Sequence, residues 1–134
     1  MLSPNRVAYL DLTGSGVETI AHVRENGRIT LMTCAFNGNP NISRIYGVGT
    51  VHEVGSEGFD ELAPEFTVFP GSRAIIEIDV DQVTESCGYA VPLMRFEGAR
   101  DRLSTWAVAN GDKLDGYRTR KNATSIDGLP GWPL

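Results

Sequence analysis

The sequence is poor in the residue types that build several common active sites. It has two histidines, His22 and His52, and two cysteines, Cys34 and Cys87. Two histidines far apart in a chain rarely make a metal site, so we interpret each as a surface or packing residue and predict no bound metal. The cysteines show no disulfide-framework spacing and follow no signal peptide, which predicts that they stay reduced. The G-x-S-x-G, Walker and H-E-x-x-H motifs are absent, which argues against the enzyme classes that depend on them.

Clustered positive charge and long apolar runs are also missing. The net charge is −5, and the 12 lysines and arginines do not cluster, which argues against a nucleic-acid partner and against binding to an anionic membrane. Since no run approaches the roughly 18 apolar residues of a membrane span, we expect a soluble, cytoplasmic protein. A length of 134 residues fits a single domain, 1–134.

The run from Arg6 to Val54 carries the clearest local signals. The β-forming residues over 7–12 alternate between two faces, which predicts a strand, and Thr13-Gly14-Ser15-Gly16 breaks the pattern. Ser15 and Glu18 have the spacing of a capping box, so we predict a helix that runs to Glu25 and stops at Asn26-Gly27. A glycine-rich turn between a strand and a helix N-terminus presents free backbone N–H groups and is a typical anion-binding site. A structural alternative stays open, because a capped helix after a strand needs Ser and Gly in any case.

The remaining patterns predict a chain that is mainly β with some α. Gly47 and Gly49, inside one predicted strand, indicate a bulge or a close approach of another backbone. The apolar run over 28–36 is typical of a central strand and is followed by a hairpin turn at Asn37-Gly38. Further strands are predicted over 42–54, 73–80 and 90–96, and helices over 57–66 (interrupted at Pro64), 100–110 and 112–122. We therefore predict a bent antiparallel barrel of about five or six strands, with short helices at its ends and a C-terminal helical pair.

Several stretches of the chain resemble one family, the pyridoxamine 5'-phosphate oxidase-like proteins, which are FMN-binding split barrels. The similar stretches are 9–19 (YLDLTGSGVET), 26–29 (NGRI), 44–47 (RIYG), 70–74 (PGSRA), 79–80 (DV), 86–92 (SCGYAVP) and 121–131 (KNATSIDGLPG). The resemblance implies a split antiparallel barrel whose FMN lies in a cleft between two subunits. It also implies a cofactor-binding set made of Tyr9, Asp11, Thr13, Gly14, Ser15, Gly16, Arg44 and Tyr46. In this set the phosphate lies at the Thr13–Gly16 turn, and Arg44 is the arginine of the family's R-x-x-G pattern.

Two features depart from the family pattern. Where catalytic oxidases of the family carry an Arg-Lys pair in the turn, this chain has Gly14-Ser15, so we expect weaker FMN binding, in the micromolar range. The strand that starts near Arg6 usually follows a helix and a hairpin, which are not present here. The resemblance therefore implies either a truncated chain or a barrel that is completed in another way, such as by a dimer partner.

Two classes of function remain from the sequence. The first is an FMN-dependent oxidoreductase-like protein, in which the isoalloxazine carries out the redox chemistry and no catalytic side chain is named. The second is a non-catalytic dimeric split-barrel module, or a binder of another ligand such as a deazaflavin or haem. Either way we expect a homodimer that covers strand edges and apolar residues such as Leu10, Met32 and Ile45. The sequence specifies no substrate.

Overall fold

A computed structural model of the protein describes residues 1–132; Pro133 and Leu134, the end of the predicted irregular tail, lie outside the described residues. Within residues 1–132 the chain forms four strands and four α-helices, with 3-10 turns after α2 and between α3 and α4. In chain order they are β1 (Arg6–Leu12), α1 (Glu18–Asn26), β2 (Arg28–Cys34), β3 (Asn41–Glu53), α2 (Glu57–Leu62), β4 (Ser72–Cys87), α3 (Arg102–Asn110) and α4 (Leu114–Lys121). This confirms the mainly-β chain with a C-terminal helical pair.

The four strands form one antiparallel sheet in the order β1-β4-β3-β2. The long β4 lies between β1 and β3 and pairs with β3 from Ala74, opposite Glu53, to Cys87, opposite Asn41. Within residues 1–132 β1 and β2 do not pair with each other, so the sheet is open and the predicted closure into a barrel is not found.

Helix α1 covers one face of the sheet and forms the core there. Ile20 of α1 is fully buried together with Ile76 and Ile78 of β4, and Val17 and Ala74 complete the cluster. Full burial of one large apolar side chain, such as that of Ile20, contributes about 1.5–3 kcal/mol of stability. Val23 of α1 packs over Gly49, and a Cβ placed on Gly49 would lie 3.0 Å from Val23 Cγ1. Helix α2 lies on β3 and β4, with Phe59 buried.

Two sequence predictions about strands are wrong. The strand predicted over 90–96 is irregular, because β4 continues to Cys87 and already matches the whole length of β3. The strand predicted as central is β2. It lies at the edge of the sheet next to β3, and the other side of β3 pairs with β4. Met32 on β2 is accordingly 59% exposed.

The prediction for Gly47 is confirmed. The pairing of β3 with β4 shifts register between Tyr46 and Gly47, so that Asp81 of β4 is the extra residue of a bulge. A Cβ at position 47 would overlap the carbonyl oxygen of Asp79. Glycine is required here because the neighbouring backbone lies too close for a side chain.

The half of the sheet farthest from α2 leaves apolar side chains uncovered. Residues 88–101 form no helix or strand there. Met32, Val83, Met94 and Phe96 are each more than half exposed, whereas Leu10 and Ile45 are partly buried. Cys34 and Cys87 are free thiols. No helix within residues 1–132 combines the length and the apolar character that a bilayer crossing requires.

Candidate functional site

The turn from Thr13 to Gly16 rests on a buried arginine that projects from β4. Between β1 and β4 the register shifts at Asp11 and Leu12, and Arg73 is the extra residue at that bulge. Its Nε donates to Asp11 Oδ2 at 2.7 Å, and its Nη1 donates to the carbonyl oxygen of Gly16 at 2.9 Å. The side chain of Arg73 is 5% exposed and that of Asp11 is 14% exposed. The pair therefore fixes the turn to the sheet in an environment with little solvent.

Helix α4 contributes a second buried arginine below the same turn. Arg118 Nε donates to Thr13 Oγ1 at 2.9 Å, and Nη2 donates to the carbonyl oxygen of Ser72 at 3.0 Å. Its third nitrogen, Nη1, bonds Asp115 at 3.1 Å, and the guanidinium stacks on the ring of Trp132 at 5.3 Å. Burial lowers the pKa of Arg118. All three nitrogens are thus committed within the fold.

Asn122, which follows α4, adds further hydrogen bonds between the C-terminal segment and the turn. We call this network of Arg73, Arg118 and Asn122 the buried clasp. Its side chain is fully buried; Nδ2 donates to the carbonyl oxygens of Gly14 at 3.0 Å and Gly16 at 3.2 Å, and Oδ1 accepts from Arg73 at 2.9 Å. Sequence reasoning missed this network. The sequence offered one signal for the buried role of Arg73, which is the position of this arginine beside the apolar run of β4.

The outer side of the turn is open at two of the predicted site residues. Ser15 is exposed, and no described atom lies within 4 Å of the position that a Cβ on Gly14 would take. The predicted capping box is wrong, since α1 begins at Glu18 with Val17 as its N-cap and no described side chain caps it. The side chain of Glu18 instead turns back over Gly16, and a Cβ placed on Gly16 would overlap the Glu18 carboxylate. Glu18 Oε1 accepts a hydrogen bond from the backbone N–H of Ile126 at 3.2 Å.

Backbone N–H groups surround the carboxylate of Glu18 and lower its pKa. The pKa lies below its usual value, chiefly because of the backbone N–H of Glu18 itself and further because of those of Ile126 and Val17. The N–H groups of Val17 and Glu18, at the start of α1, thus face the protein's own carboxylate.

Tyr9 and Asp11, which precede the turn, have structural contacts. Tyr9 packs against the core cluster below α1, and burial, followed by the charge of Asp11, raises the pKa of its hydroxyl. Asp11 is the partner of Arg73. Both residues therefore help to build the base of the turn.

Arg44 and Tyr46 lie at the other end of the sheet from the turn. Asp11 pairs with Ala74 of β4, whereas Arg44 pairs with Thr84, ten residues further along that strand. At about 3.3 Å per residue this is roughly 30 Å along β4. Arg44 Nη1 donates to Ser86 Oγ at 3.0 Å. The predicted set of eight residues is thus two separate groups within one chain.

Tyr46 lines a groove of about 750 Å³ between the C-terminal half of α1 and the bulged part of the sheet. His22 also lines it and bonds Asp127 Oδ2 at 3.0 Å. Hydrogen bonds from Ser125 and then from His22 lower the pKa of Asp127. His52, on the other face, bonds Glu77 at 2.9 Å, and Arg6 pairs with the same carboxylate. Among the described residues no group of three His, Cys, Asp or Glu side chains is placed to hold a metal ion.

The sequence is similar to a pyridoxamine 5'-phosphate oxidase family protein. That relative, the protein ustO of Aspergillus flavus, is 39% identical over 147 aligned residues that include 98% of this chain. The chain spans 59% of the length of this relative. No protein-family model matches the sequence, and no solved structure matches it.

The family resemblance raises the question of whether these residues fit FMN. Within one chain they do not, because the turn and the Arg44–Tyr46 group lie too far apart to hold one cofactor molecule between them. Arg73 and Arg118, the cations nearest the turn, already bond carbonyl, hydroxyl and carboxylate oxygens of the protein.

Proposed function

We propose that the chain belongs to the pyridoxamine 5'-phosphate oxidase family and binds FMN as a homodimer, at sites that each take residues from two copies. The identity to the Aspergillus flavus relative over nearly the whole chain supports the family. The separation of the turn from Arg44 along β4 is the observation that carries the shared site. One copy supplies the Thr13–Gly16 turn, and the other supplies Arg44 and Tyr46.

The surface around Arg44 supports the proposed dimer. Met32 lies directly opposite Arg44 in β2 and on the same face of the sheet, whereas Val83 of β4 pairs with Ile45 and lies on the opposite face. Both apolar side chains are 59% exposed in the single chain. Contact of a second copy with the face that carries Arg44 would remove the apolar area of Met32 from water and would protect the open sheet edges. The split barrel of the family is then completed between copies.

The chain's own residues bind and orient the cofactor in this proposal. Open backbone at Gly14 and Ser15 admits the phosphate, and Arg44 of the second copy supplies a positive charge to it. The isoalloxazine, when bound, supplies the electron-accepting chemistry of an oxidoreductase. The substrate is not part of the proposal.

A second candidate, a non-catalytic module with the same dimeric fold, is favoured by one observation. The turn lacks the basic pair of the catalytic oxidases, and the carboxylate of Glu18 lies over it. A negative charge there opposes the binding of any phosphate. Binding of FMN therefore separates the two candidates.

We expect purified protein to bind FMN with micromolar affinity, and the Arg44→Ala variant to bind it about tenfold or more weakly, since a charge-assisted hydrogen bond contributes about 1.5–3 kcal/mol. Quenching of flavin fluorescence during titration measures both affinities. The matched control is Arg102→Ala, which removes an exposed arginine at the start of α3 and should leave the affinity unchanged. Absence of binding to the intact dimer up to near-millimolar FMN would leave the non-catalytic module as the function.

A further inference from the structure

The sequence contains three Asn-Gly pairs, Asn26-Gly27, Asn37-Gly38 and Asn110-Gly111. In such a pair the backbone nitrogen of the glycine can attack the side-chain carbonyl carbon of the asparagine, because glycine has no side chain that hinders the approach and leaves the backbone free to rotate. The attack needs a glycine nitrogen that is not held in a hydrogen bond. The hydrogen bonds of the fold therefore decide which pair can react.

Two of the three pairs end helices, and the glycine nitrogen of each closes the last helical turn. The N–H of Gly27 donates to the carbonyl oxygen of Val23 at 2.7 Å, at the end of α1. The N–H of Gly111 donates to the carbonyl oxygen of Ala107, at the end of α3. The carboxamide of Asn110 is also fixed, because its Nδ2 donates to a carbonyl oxygen one turn earlier in α3 at 2.8 Å. Attack at either position would break the hydrogen bond that ends the helix.

The third pair, Asn37-Gly38, lies in the exposed loop between β2 and β3. The N–H of Ala35 closes this loop by donating to the carbonyl oxygen of Asn41 at 2.9 Å, and residues 37–40 are all exposed. Within residues 1–132 the N–H of Gly38 donates to no backbone carbonyl. Gly38 has a φ of 67°, and no described atom lies within 4 Å of the position that a Cβ would take. The nitrogen of Gly38 therefore has both the freedom and the space that the attack requires.

We propose that Asn37 is a site of spontaneous deamidation, which the fold leaves open while it protects the other two pairs. The nitrogen of Gly38 bonds to Asn37 Cγ, the bond from Cγ to Nδ2 breaks, and Nδ2 leaves as ammonia with the proton that the Gly38 nitrogen gives up. Water then opens the resulting cyclic imide at either of its two carbonyl carbons, which gives aspartate or isoaspartate. The reaction consumes one water molecule and needs no oxidant. It does not depend on the proposed function.

The modification changes a groove of about 610 Å³ between this loop and the segment 94–97. Asn37 lines the groove together with Phe36, Met94 and Phe96, which are all exposed apolar residues. Either product places a carboxylate at position 37 and adds one negative charge to a chain whose net charge is −5. Isoaspartate also adds a methylene group to the main chain of the loop. The protein therefore acquires a second, more acidic form that differs from the first at this end of the sheet.

Peptide mapping of the purified 134-residue chain tests the proposal. The protein is incubated at mildly alkaline pH, where the glycine nitrogen loses its proton more readily, and is then digested briefly with trypsin. Cleavage after lysine and arginine places the three pairs in separate peptides, 25–28, 29–44 and 103–113. We expect peptide 29–44 to gain about 1 Da, the difference between the NH₂ of a carboxamide and the OH of a carboxylic acid, and to separate into two products of equal mass. The other two peptides should keep their mass.

A sample incubated in urea is the matched control, because unfolding removes the hydrogen bonds at both helix ends. In urea we expect all three peptides to gain mass. In the folded protein, Gly38→Ala should delay the mass gain of peptide 29–44, because the methyl group hinders the attack. If peptide 29–44 of the folded wild type keeps its mass while the urea sample reacts, the proposal is overturned. Equal mass gain in peptide 25–28 or 103–113 of the folded protein would also overturn it.

Discussion

Replacement of Arg73 by methionine is expected to lower the free energy of unfolding by about 3–5 kcal/mol, the usual loss when one partner of a buried ion pair is removed. Methionine is long enough to fill the space but donates no hydrogen bond. Asp11 would keep a carboxylate that is 14% exposed and has lost its charged hydrogen-bond donor, and the carbonyl oxygen of Gly16 would lose one donor. Urea denaturation followed by circular dichroism measures the change.

Two further variants make this result interpretable. Arg95→Met removes an arginine whose side chain is 88% exposed and whose partner Glu97 is 80% exposed, so we expect less than about 0.5 kcal/mol of change. Arg73→Lys keeps the charge but loses the planar fork, and it should fall between the wild type and the methionine variant even if the latter does not fold. A loss of unfolding free energy below about 1 kcal/mol for Arg73→Met would contradict a stabilising role of the buried clasp.

Gly47→Ala is expected to destabilise the protein by about 3 kcal/mol, the upper part of the range for overpacking. The new Cβ would overlap the carbonyl oxygen of Asp79 and lie 2.9 Å from Ile78 Cγ2. Neither group can move away easily, since Ile78 is fully buried and Asp79 belongs to the β4 backbone that pairs with β3. The measurement is the midpoint of thermal or urea unfolding.

Gly14→Ala is the corresponding control in the strand-to-helix turn. A Cβ there meets no described atom within 4 Å, so the unfolding free energy should stay the same or rise by up to about 1 kcal/mol as the unfolded chain becomes less flexible. Equal destabilisation by the two alanines would contradict the close approach of β4 as the cause of the loss at position 47.

Sequence reasoning succeeded where the signals were local. The alternation over 7–12 predicted β1, and Asn26-Gly27 marked the end of α1, where Gly27 takes the left-handed conformation with φ of 73°. The interruption at Pro64 matched a 3-10 turn after α2, and the C-terminal pair of helices was found. Each of these depends on neighbours within a few residues along the chain.

The errors concern contacts between distant parts of the chain. The position of β2 at the edge of the sheet follows from the insertion of β4 between β1 and β3, which no pattern inside β2 reports. Arg118 bonds Thr13, a residue 105 positions away, and for this reason its role was invisible from its place at a helix end. The capping box failed for the same reason, because Ile126 from the C-terminal segment takes the carboxylate of Glu18.

The motif match predicted members for a candidate site but not their arrangement in the fold. The motif match grouped Arg44 with the Thr13–Gly16 turn, and the register of β4 separates them by ten residues within one chain. The resemblance also implied a cleft between two subunits, and this is the arrangement in which the two groups can meet. A site shared between copies is therefore the central claim.

A heterodimer of two defective chains tests that claim most directly. One chain carries Ser15→Asp, which places a negative charge on the exposed turn, and the other carries Arg44→Ala; each homodimer should bind FMN poorly. The two chains are co-expressed with different affinity tags, purified through both tags, and titrated with FMN. If each site takes its turn from one copy and Arg44 from the other, the heterodimer holds one intact and one doubly defective site, so it should bind FMN with wild-type affinity at half the wild-type stoichiometry. Binding as weak as in the two homodimers would contradict the account, because it would place both groups of each site in the same chain.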